Sequence, residues 1–341
     1  MQTFGIDIGT SSIKIAQVAR EGGKIRLVAA AAIPTPQAGI RSESVTDLAS
    51  LTEAVKKIIS DAKITSRHVA CSVSESNVHV EVLQMPPMSE SELSSAVVWE
   101  AEQVIPFQVS EAEISWQVIP VTDQTKANTQ QVLLTAAPKR QVEKYVNVLN
   151  QAGLTPEIIE PESVATARAL AKFPSGLGAI IDLGASGTSI SVVLNGCVVV
   201  SRSLPTGGNA ISRALSSYLN LELNQAEEYK RAYGLEENQL EGKVRQAIIP
   251  VIDVISNETR KVIEFYQSKN ENRRISSIVL TGGGAGLPEL VPYLAKNLGA
   301  EIVIGDPFVD ISKDERMASA LTGFGPLYGV AVGLALREVE G

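Results

Sequence analysis

Apolar and polar positions alternate with period two in two well-separated places, and they do so in the same way. Residues 6–18 read IDIGTSSIKIAQV and residues 181–193 read IDLGASGTSISVV. Each is an apolar run ending in Asp, a turn of Gly with Ser or Thr, and a second run that alternates. Such alternation on both sides of a short glycine-bearing turn predicts a β-hairpin. At a constant offset of 175 residues the two segments share Ile, Asp, Gly, Ser, Ile and Val. Two like hairpins this far apart predict duplicated lobes, and 341 residues suffice for a core in each.

Elsewhere the period is helical. Leu48, Leu51, Val55, Ile58 and Ile59 predict a core-facing helix over 46–62. From Met85 the pattern changes. A helix is expected over 89–104, opened by Ser89 and stopped by Pro106, then strands over 112–121 and 131–137, then a helix over 141–152 ended by Gly153. This block interrupts the first lobe, and the polar stretch 122–130 is its expected hairpin loop. Farther along, 226–234 reads as a short helix with Glu227 and Lys230 on one face. Pro250 predicts a kink, or two helices, within the long pattern 240–268. Residues 278–288, IVLTGGGAGLP, read as a buried strand, a glycine run and a helix start at Pro288. Small residues at Ala165, Ala167, Ala169 and Ala171, and at Gly325, Gly329, Ala331 and Gly333, predict two helices crossing closely where the lobes join.

The chemistry of the twin turns suits phosphate. Gly9 and Gly184 let amide N–H groups crowd towards an anion, while Thr10, Ser11, Ser12, Ser186, Gly187 and Thr188 add donors. Asp7 and Asp182 would repel bare phosphate, and fit if Mg²⁺ with its waters lies between. The third run departs from G-x-G-x-x-G at Leu287, and no G-x-x-x-x-G-K-[ST] occurs. A net charge of −8 leaves no basic surplus for a nucleic-acid backbone. Cys71 and Cys197 read as core thiols, and His68 and His79 lack metal-ligand spacing. No basic leader precedes the first strand, and the charge-free stretches 183–201 and 318–336 are interrupted by polar residues, Gly and Pro. A soluble, cytoplasmic protein is therefore expected.

The order IDIGTSSIK, IIDLGASGT, VLTGGGAGLP resembles the phosphate-1, phosphate-2 and adenosine motifs of the superfamily joining actin, heat-shock chaperone ATPases and sugar kinases. Within it the whole chain resembles the PilM family of type IV pilus assembly proteins, relatives of FtsA. Further matching stretches are EPESVATARAL at 160–170, LPTGGNAIS at 204–212 and AEEYKRAYG at 226–234. The resemblance implies an α/β, actin-like ATPase fold, with two duplicated RNase H-like lobes and a small inserted α+β subdomain. The implied division is 1–84 for the first lobe, 85–158 for the insert and 159–178 for a crossing helix. The second, nucleotide-binding lobe would span 179–326, and 327–341 would return to the first.

It also implies ATP with Mg²⁺ between the lobes. Gly9, Thr10 and Ser11, with Ser12 beside them, would face Gly184, Ser186 and Gly187 across the phosphates, and Lys14 would reach phosphate charge. Asp7 and Asp182 would hold metal-bound waters. Gly207, Gly208, Gly282, Gly283 and Gly284 would complete the pocket, with Glu227 for ribose hydroxyls and Lys230 towards ring or sugar. Glu160 and Glu162 are the candidates to position a hydrolytic water, although a first-turn helix carboxylate is the competing reading of each. Hydrolysis is expected to be weak or absent. The implied partner is the cytoplasmic N-terminal peptide of a PilN-type inner-membrane protein, held between the first lobe and the insert. That would bring the protein to the inner face of the plasma membrane, with self-association left open. Two alternatives stand beside this. A small-molecule kinase would need a carboxylate base, commonly Asp, and the Asp residues between Arg41 and Ile180 are Asp47, Asp61 and Asp123, none of them well placed. A membrane-tethered FtsA-like filament former would need a basic amphipathic helix, which the final LREVEG does not supply.

Overall fold

The computed structural model describes residues 3–119, 129–270 and 273–340. Two five-stranded sheets organise it. The first contains β1 (Phe4–Ile8), β2 (Ser12–Glu21), β3 (Lys24–Pro34), β4 (His68–Val73) and β8 (Thr155–Pro161), in the order β3-β2-β1-β4-β8. The second contains β9 (Leu177–Leu183), β10 (Thr188–Leu194), β11 (Cys197–Leu204), β12 (Ser277–Thr281) and β13 (Glu301–Ile304), in the order β11-β10-β9-β12-β13. The orders correspond strand for strand. In each, three antiparallel strands are followed by two parallel ones. The sequence repeat is the pair of hairpins β1–β2 and β9–β10.

Strand β1 is buried along its whole length, because helices cover both faces of its sheet. On one side lies α1 (Val45–Asp61), whose stripe of Leu51, Val55, Ile58 and Ile59 packs on Phe4, Ile6 and Ile8. The small insert is β5 (His79–Met85), α2 (Glu90–Val104), β6 (Ala112–Ile119) and β7 (Gln130–Pro138), in sheet order β5-β7-β6. Ser89 and Glu92 form the capping box that starts α2. Leu93, Val97 and Ala101 of α2 cover Leu83, Val132 and Leu134.

Two boundaries differ from the sequence reading. The small sheet takes its first strand from before residue 85. The next helix, α3 (Lys139–Gln151), was expected within the insert, yet Tyr145, Val148 and Leu149 pack with Phe4, Val69 and Val73 in the first lobe's core. Helix α2 already covers the small sheet's inner face, so the strongly apolar side of α3 is buried on the larger sheet. The loop expected at 122–130 falls outside the described residues except for its last two.

The second lobe adds α5 (Gly208–Leu219), α6 (Leu223–Tyr233), α7 (Lys243–Lys269), α8 (Leu290–Leu298) and α9 (Glu315–Leu321). Helix α7 runs unbroken through Pro250 instead of dividing there. Pro250 removes one backbone donor, but Val244, Ile248, Ile252 and Ile255 keep a continuous buried stripe on both sides of it. The break comes earlier, where Leu240 and Glu241 take φ of 47° and 55°. Among the described residues no single helix is long and apolar enough to cross a membrane; α9 and the helical segment after it are bent by 96° to one another.

Helices α4 (Glu162–Leu170) and α10 (Gly329–Glu340) cross between the sheets, as their small residues predicted. A Cβ on Gly333 would overlap the Ala165 carbonyl, and one on Gly5 would overlap that of Ala331. The backbone of α10 therefore rests directly on α4 and β1. Ala70, Ala165, Val330 and Leu334 fill the space around the contact. Glu160 locks it, accepting from Arg168 at 2.6 and 2.9 Å and from Arg337 of α10. Replacing Gly333 with Val should destabilise the protein by about 1–3 kcal/mol or more, read by denaturant unfolding. Gly286→Ala, where an added Cβ meets nothing within 4 Å, should stay within about 0.5 kcal/mol of the parent. Equal effects at the two positions would contradict the close crossing.

Candidate functional site

The two hairpin turns come together. Gly9 N–H donates to the Ser12 carbonyl at 3.2 Å, and Gly184 N–H donates to that of Gly187 at 2.9 Å, so the turns close in the same way. Thr10 Oγ1 lies 2.8 Å from Ser186 Oγ, although the residues are 176 positions apart. Thr35, just past the end of β3, steadies the first turn by donating from its Oγ1 to the Gly9 carbonyl at 2.7 Å. The start of α5 steadies the second, because Gly208 and Asn209 N–H donate to the carbonyls of Gly184 and Ala185 at 2.9 and 2.8 Å. Gly207 sits so close that a Cβ there would meet Gly187 N at 2.7 Å.

The remaining motif residues border this point. Lys230 Nζ donates to the Gly208 carbonyl at 3.2 Å and to Ser212 Oγ at 3.0 Å, and it pairs with Glu227. Glu227 also accepts from Ser212 at 2.6 Å and Arg231 at 2.9 Å. Burial works against its charge, yet these donors hold its carboxyl below the usual range. Gly282 takes a φ of 84° against Asp182, and Gly284 N–H donates to the Leu183 carbonyl at 2.9 Å. Gly283 packs beneath Leu327. The Pro288 carbonyl accepts from Leu235 N–H at 2.9 Å, joining the glycine run to the end of α6. The structure thus gathers the expected glycines, hydroxyls, Glu227 and Lys230 around the ends of β1, β9 and β12.

Beneath the turns lies an excess of buried carboxylate. Asp7 and Lys14 face each other in the β1–β2 register and pair at 2.8 Å. Burial opposes the Lys14 ammonium, but Asp7, Asp182 and Glu162 outweigh it and hold Lys14 above its ordinary value. Burial pushes Asp182 up to about 6, with Lys14 holding it back and Asp7 and Glu75 adding to the rise. Burial, then Asp7 and Asp182, carries Glu162 well above the carboxylate range. Among the described residues, Lys14 is therefore the cation set against Asp7, Asp182 and Glu162. Asp7 Oδ1 is buried without a hydrogen-bond partner. An orphaned carboxylate oxygen under a glycine turn whose amides would suit an anion fits a hydrated divalent cation. Among the described residues no three His, Cys, Asp or Glu side chains converge to ligate a metal directly, so such an ion would be held through water.

Not every candidate belongs here. Glu160 is committed to Arg168 and Arg337 at the helix crossing and is not free to position a water. Glu162 does face the acidic cluster. Of the kinase candidates, Asp47 and Asp61 lie on α1, bonded to Ser42 and Lys57, and Asp123 lies outside the described residues. Sequence reading missed Glu75, in the turn between β4 and β5. Its buried carboxylate accepts from Ser163 N–H at 3.1 Å, from Ser163 Oγ at 2.8 Å and from Ser201 Oγ of β11, while its own N–H donates to Glu162 at 3.1 Å. Burial raises its pKa despite those donors. A single Glu in the serine-rich stretch SVSESNV carries no periodic or motif signal that would single it out.

The family model for the type IV pilus assembly protein PilM matches residues 5–339. The chain belongs to the PilM family. It is similar over all of its length to the solved PilM-PilN type IV pilus biogenesis complex, with 30% identity, a TM-score of 0.87 and coverage of 100% of this chain and 99% of that one. The cell division protein FtsA of Neisseria meningitidis serogroup B is 24% identical over 383 residues, covering 98% of this chain and 90% of FtsA. The fold is also that of MreB5 of Spiroplasma citri solved bound to ADP, with a TM-score of 0.57, 14% identity and coverage of 99% and 96%. The matched pair of sheets and these likenesses make this an actin-like ATPase fold, and the protein a type IV pilus assembly protein.

In this chain the raised Asp182 has a signed consequence. Its folded pKa of about 6 lies above its ordinary value of 3.8, so the folded state binds the proton more tightly than the unfolded. Its contribution is most favourable below pH 4 and is lost as pH rises through about 6. Asp182→Asn should therefore stabilise the ligand-free protein at pH 8 by on the order of 1–3 kcal/mol and leave it unchanged near pH 4. Thermal unfolding across that range reads the difference. A gain that is larger at pH 4 than at pH 8 would contradict the burial of this charge.

Proposed function

We propose that this PilM-family protein binds Mg-ATP between its lobes and serves as an assembly adaptor for a PilN-type inner-membrane protein. The nucleotide reading is supported by the meeting of Thr10 and Ser186, which brings the two hairpin turns together, and by the unpartnered Asp7 Oδ1. Gly9, Thr10, Ser11 and Ser12 take the phosphates from one lobe, and Gly184, Ser186 and Gly187 take them from the other. Asp7 and Asp182 hold the water shell of Mg²⁺, whose charge offsets the carboxylates and phosphates together. Lys14 keeps Asp7 oriented and lies beside the Gly9 turn. Glu227 and Lys230, with Gly207, Gly208 and the run Gly282, Gly283 and Gly284, bound the nucleoside side. Glu162 is the remaining candidate for water positioning, so hydrolysis is slow at most.

A ligand touching both lobes favours closure by its differential contacts with the closed state. We divide the chain accordingly. The first lobe carries β1–β4, α1, α3 and β8, the small sheet and α2 occupy 79–138, and the second lobe starts with β9. Helix α10 returns to the first lobe. The partner reading rests on the likeness to the PilM-PilN complex. A PilN-type protein would bring this one to the inner membrane face with no insertion of its own.

Two measurements test these readings separately. Asp7→Ala should lower affinity for ATP with Mg²⁺ by about tenfold or more in calorimetry, and change ATP affinity in EDTA little. Unchanged Mg-ATP affinity would remove Asp7 from the site. A synthetic PilN-type N-terminal peptide should be retained on immobilised protein, and absence of retention both with and without Mg-ATP would remove the adaptor reading.

A further inference from the structure

A groove of about 940 Å³ lies between the small sheet and the second lobe, away from the glycine turns. Two of its walls are sheet edges. Strand β5 is the outer strand of the small sheet, and β11 is the outer strand of the second five-stranded sheet. Consecutive residues 78–82 of one strand region and 199–203 of the other line the space. A strand that offers only a face shows alternate residues, so lining by successive residues means that both strands turn their edges to the groove. Among the described residues no ladder or bridge occupies either outer edge. The third wall is the C-terminal half of α7, where Phe265 is exposed.

The charge of this groove opposes that of the whole molecule. On a chain of net charge −8, the four cations Arg202, Lys261, Lys269 and Arg273 line the groove against three acids, Glu81 and Glu258 with the buried Glu75 at one end. Lys261 pairs with Glu258 at 3.2 Å, and Lys269 lies over the Phe265 ring. Arg202 and Arg273 enter no ion pair among the described residues. Two lining residues also carry a buried polar atom without a partner, His79 at Nε2 and Tyr266 at its hydroxyl.

We infer that this groove docks an extended acidic segment of a partner protein, with main chain added to a free sheet edge and carboxylates meeting Arg202 and Arg273. Unpaired edges accept a strand through backbone hydrogen bonds, and the flanking charges set which strand is accepted. The groove is walled mainly by the insert and the second lobe and reaches the first lobe at Glu75 and Ser76, whereas a PilN-type peptide is expected between the first lobe and the insert; the inference does not rest on that reading.

The probe is a fluorescein-labelled octapeptide alternating glutamate and valine, titrated against the full chain by anisotropy. Its controls are the lysine–valine counterpart and a version with proline at the glutamate positions, which cannot complete a ladder. Saturable binding is expected for the acidic peptide alone. The double variant Arg202→Glu, Arg273→Glu should weaken it by about tenfold or more. Arg202 is exposed and Arg273 half-buried, and circular dichroism checks that the variant stays folded. Absence of binding, equal binding of the lysine peptide, or affinity untouched by the double variant overturns the inference. Displacement of the probe by a PilN-type peptide also overturns it, because the groove would then belong to that partner.

Discussion

Backbone rests on backbone where α10 crosses α4 and β1, and this contact sets where everything else sits. Gly333 against the Ala165 carbonyl, and Gly5 against that of Ala331, leave no room for even one methyl group. Each lobe is wound from the same five-strand order, so the crossing holds two copies of one hairpin with their turns towards each other. The hydroxyls of Thr10 and Ser186 touch because the sheets are held at that separation. Glu160 works at this level. Between Arg168 and Arg337 it fastens the crossing, and both of its carboxylate oxygens are committed there.

The same geometry forces acids into a low-dielectric space. Asp7, Asp182, Glu162 and Glu75 lie beneath the turns with Lys14 as their cation, and burial raises the three for which a shift is evident. Buried carboxylates that lack counter-charge cost stability, and proteins keep such arrangements where a ligand supplies the missing charge. Glu75 links this region to the rest of the molecule. Its carboxylate joins the start of α4 to Ser201 of the second lobe, and its own N–H holds Glu162. A change in lobe separation would therefore reach the acidic cluster through one side chain.

Much of this was readable in the chain before folding. The hairpins, α1, α2 and the crossing helices each carried a periodic or small-residue pattern, and local pattern is what those elements obey. What escaped depended on competition between surfaces. Helix α3 shows a strong apolar face, but nothing in 141–152 says which sheet it will cover; the prior coverage of the small sheet by α2 decides that. Pro250 read as a kink or as a division into two helices, and a buried stripe on both sides of it keeps α7 one helix. Glu160 and Glu162 stand two residues apart and read alike, and only the tertiary placement of Arg337 separates an ion-pair anchor from a cleft carboxyl. Glu75 had no signal at all, since its partners come from two distant segments, Glu162–Ser163 and Ser201.

The central claim is that both turns engage one triphosphate from opposite sides. Hydrogen exchange read by mass spectrometry, with and without Mg-ATP, tests it most directly. The account predicts slowed exchange in residues 9–12 and in residues 184–187 at the same nucleotide concentration. Protection confined to one of these turns, or absent from both while nucleotide is bound, would contradict it.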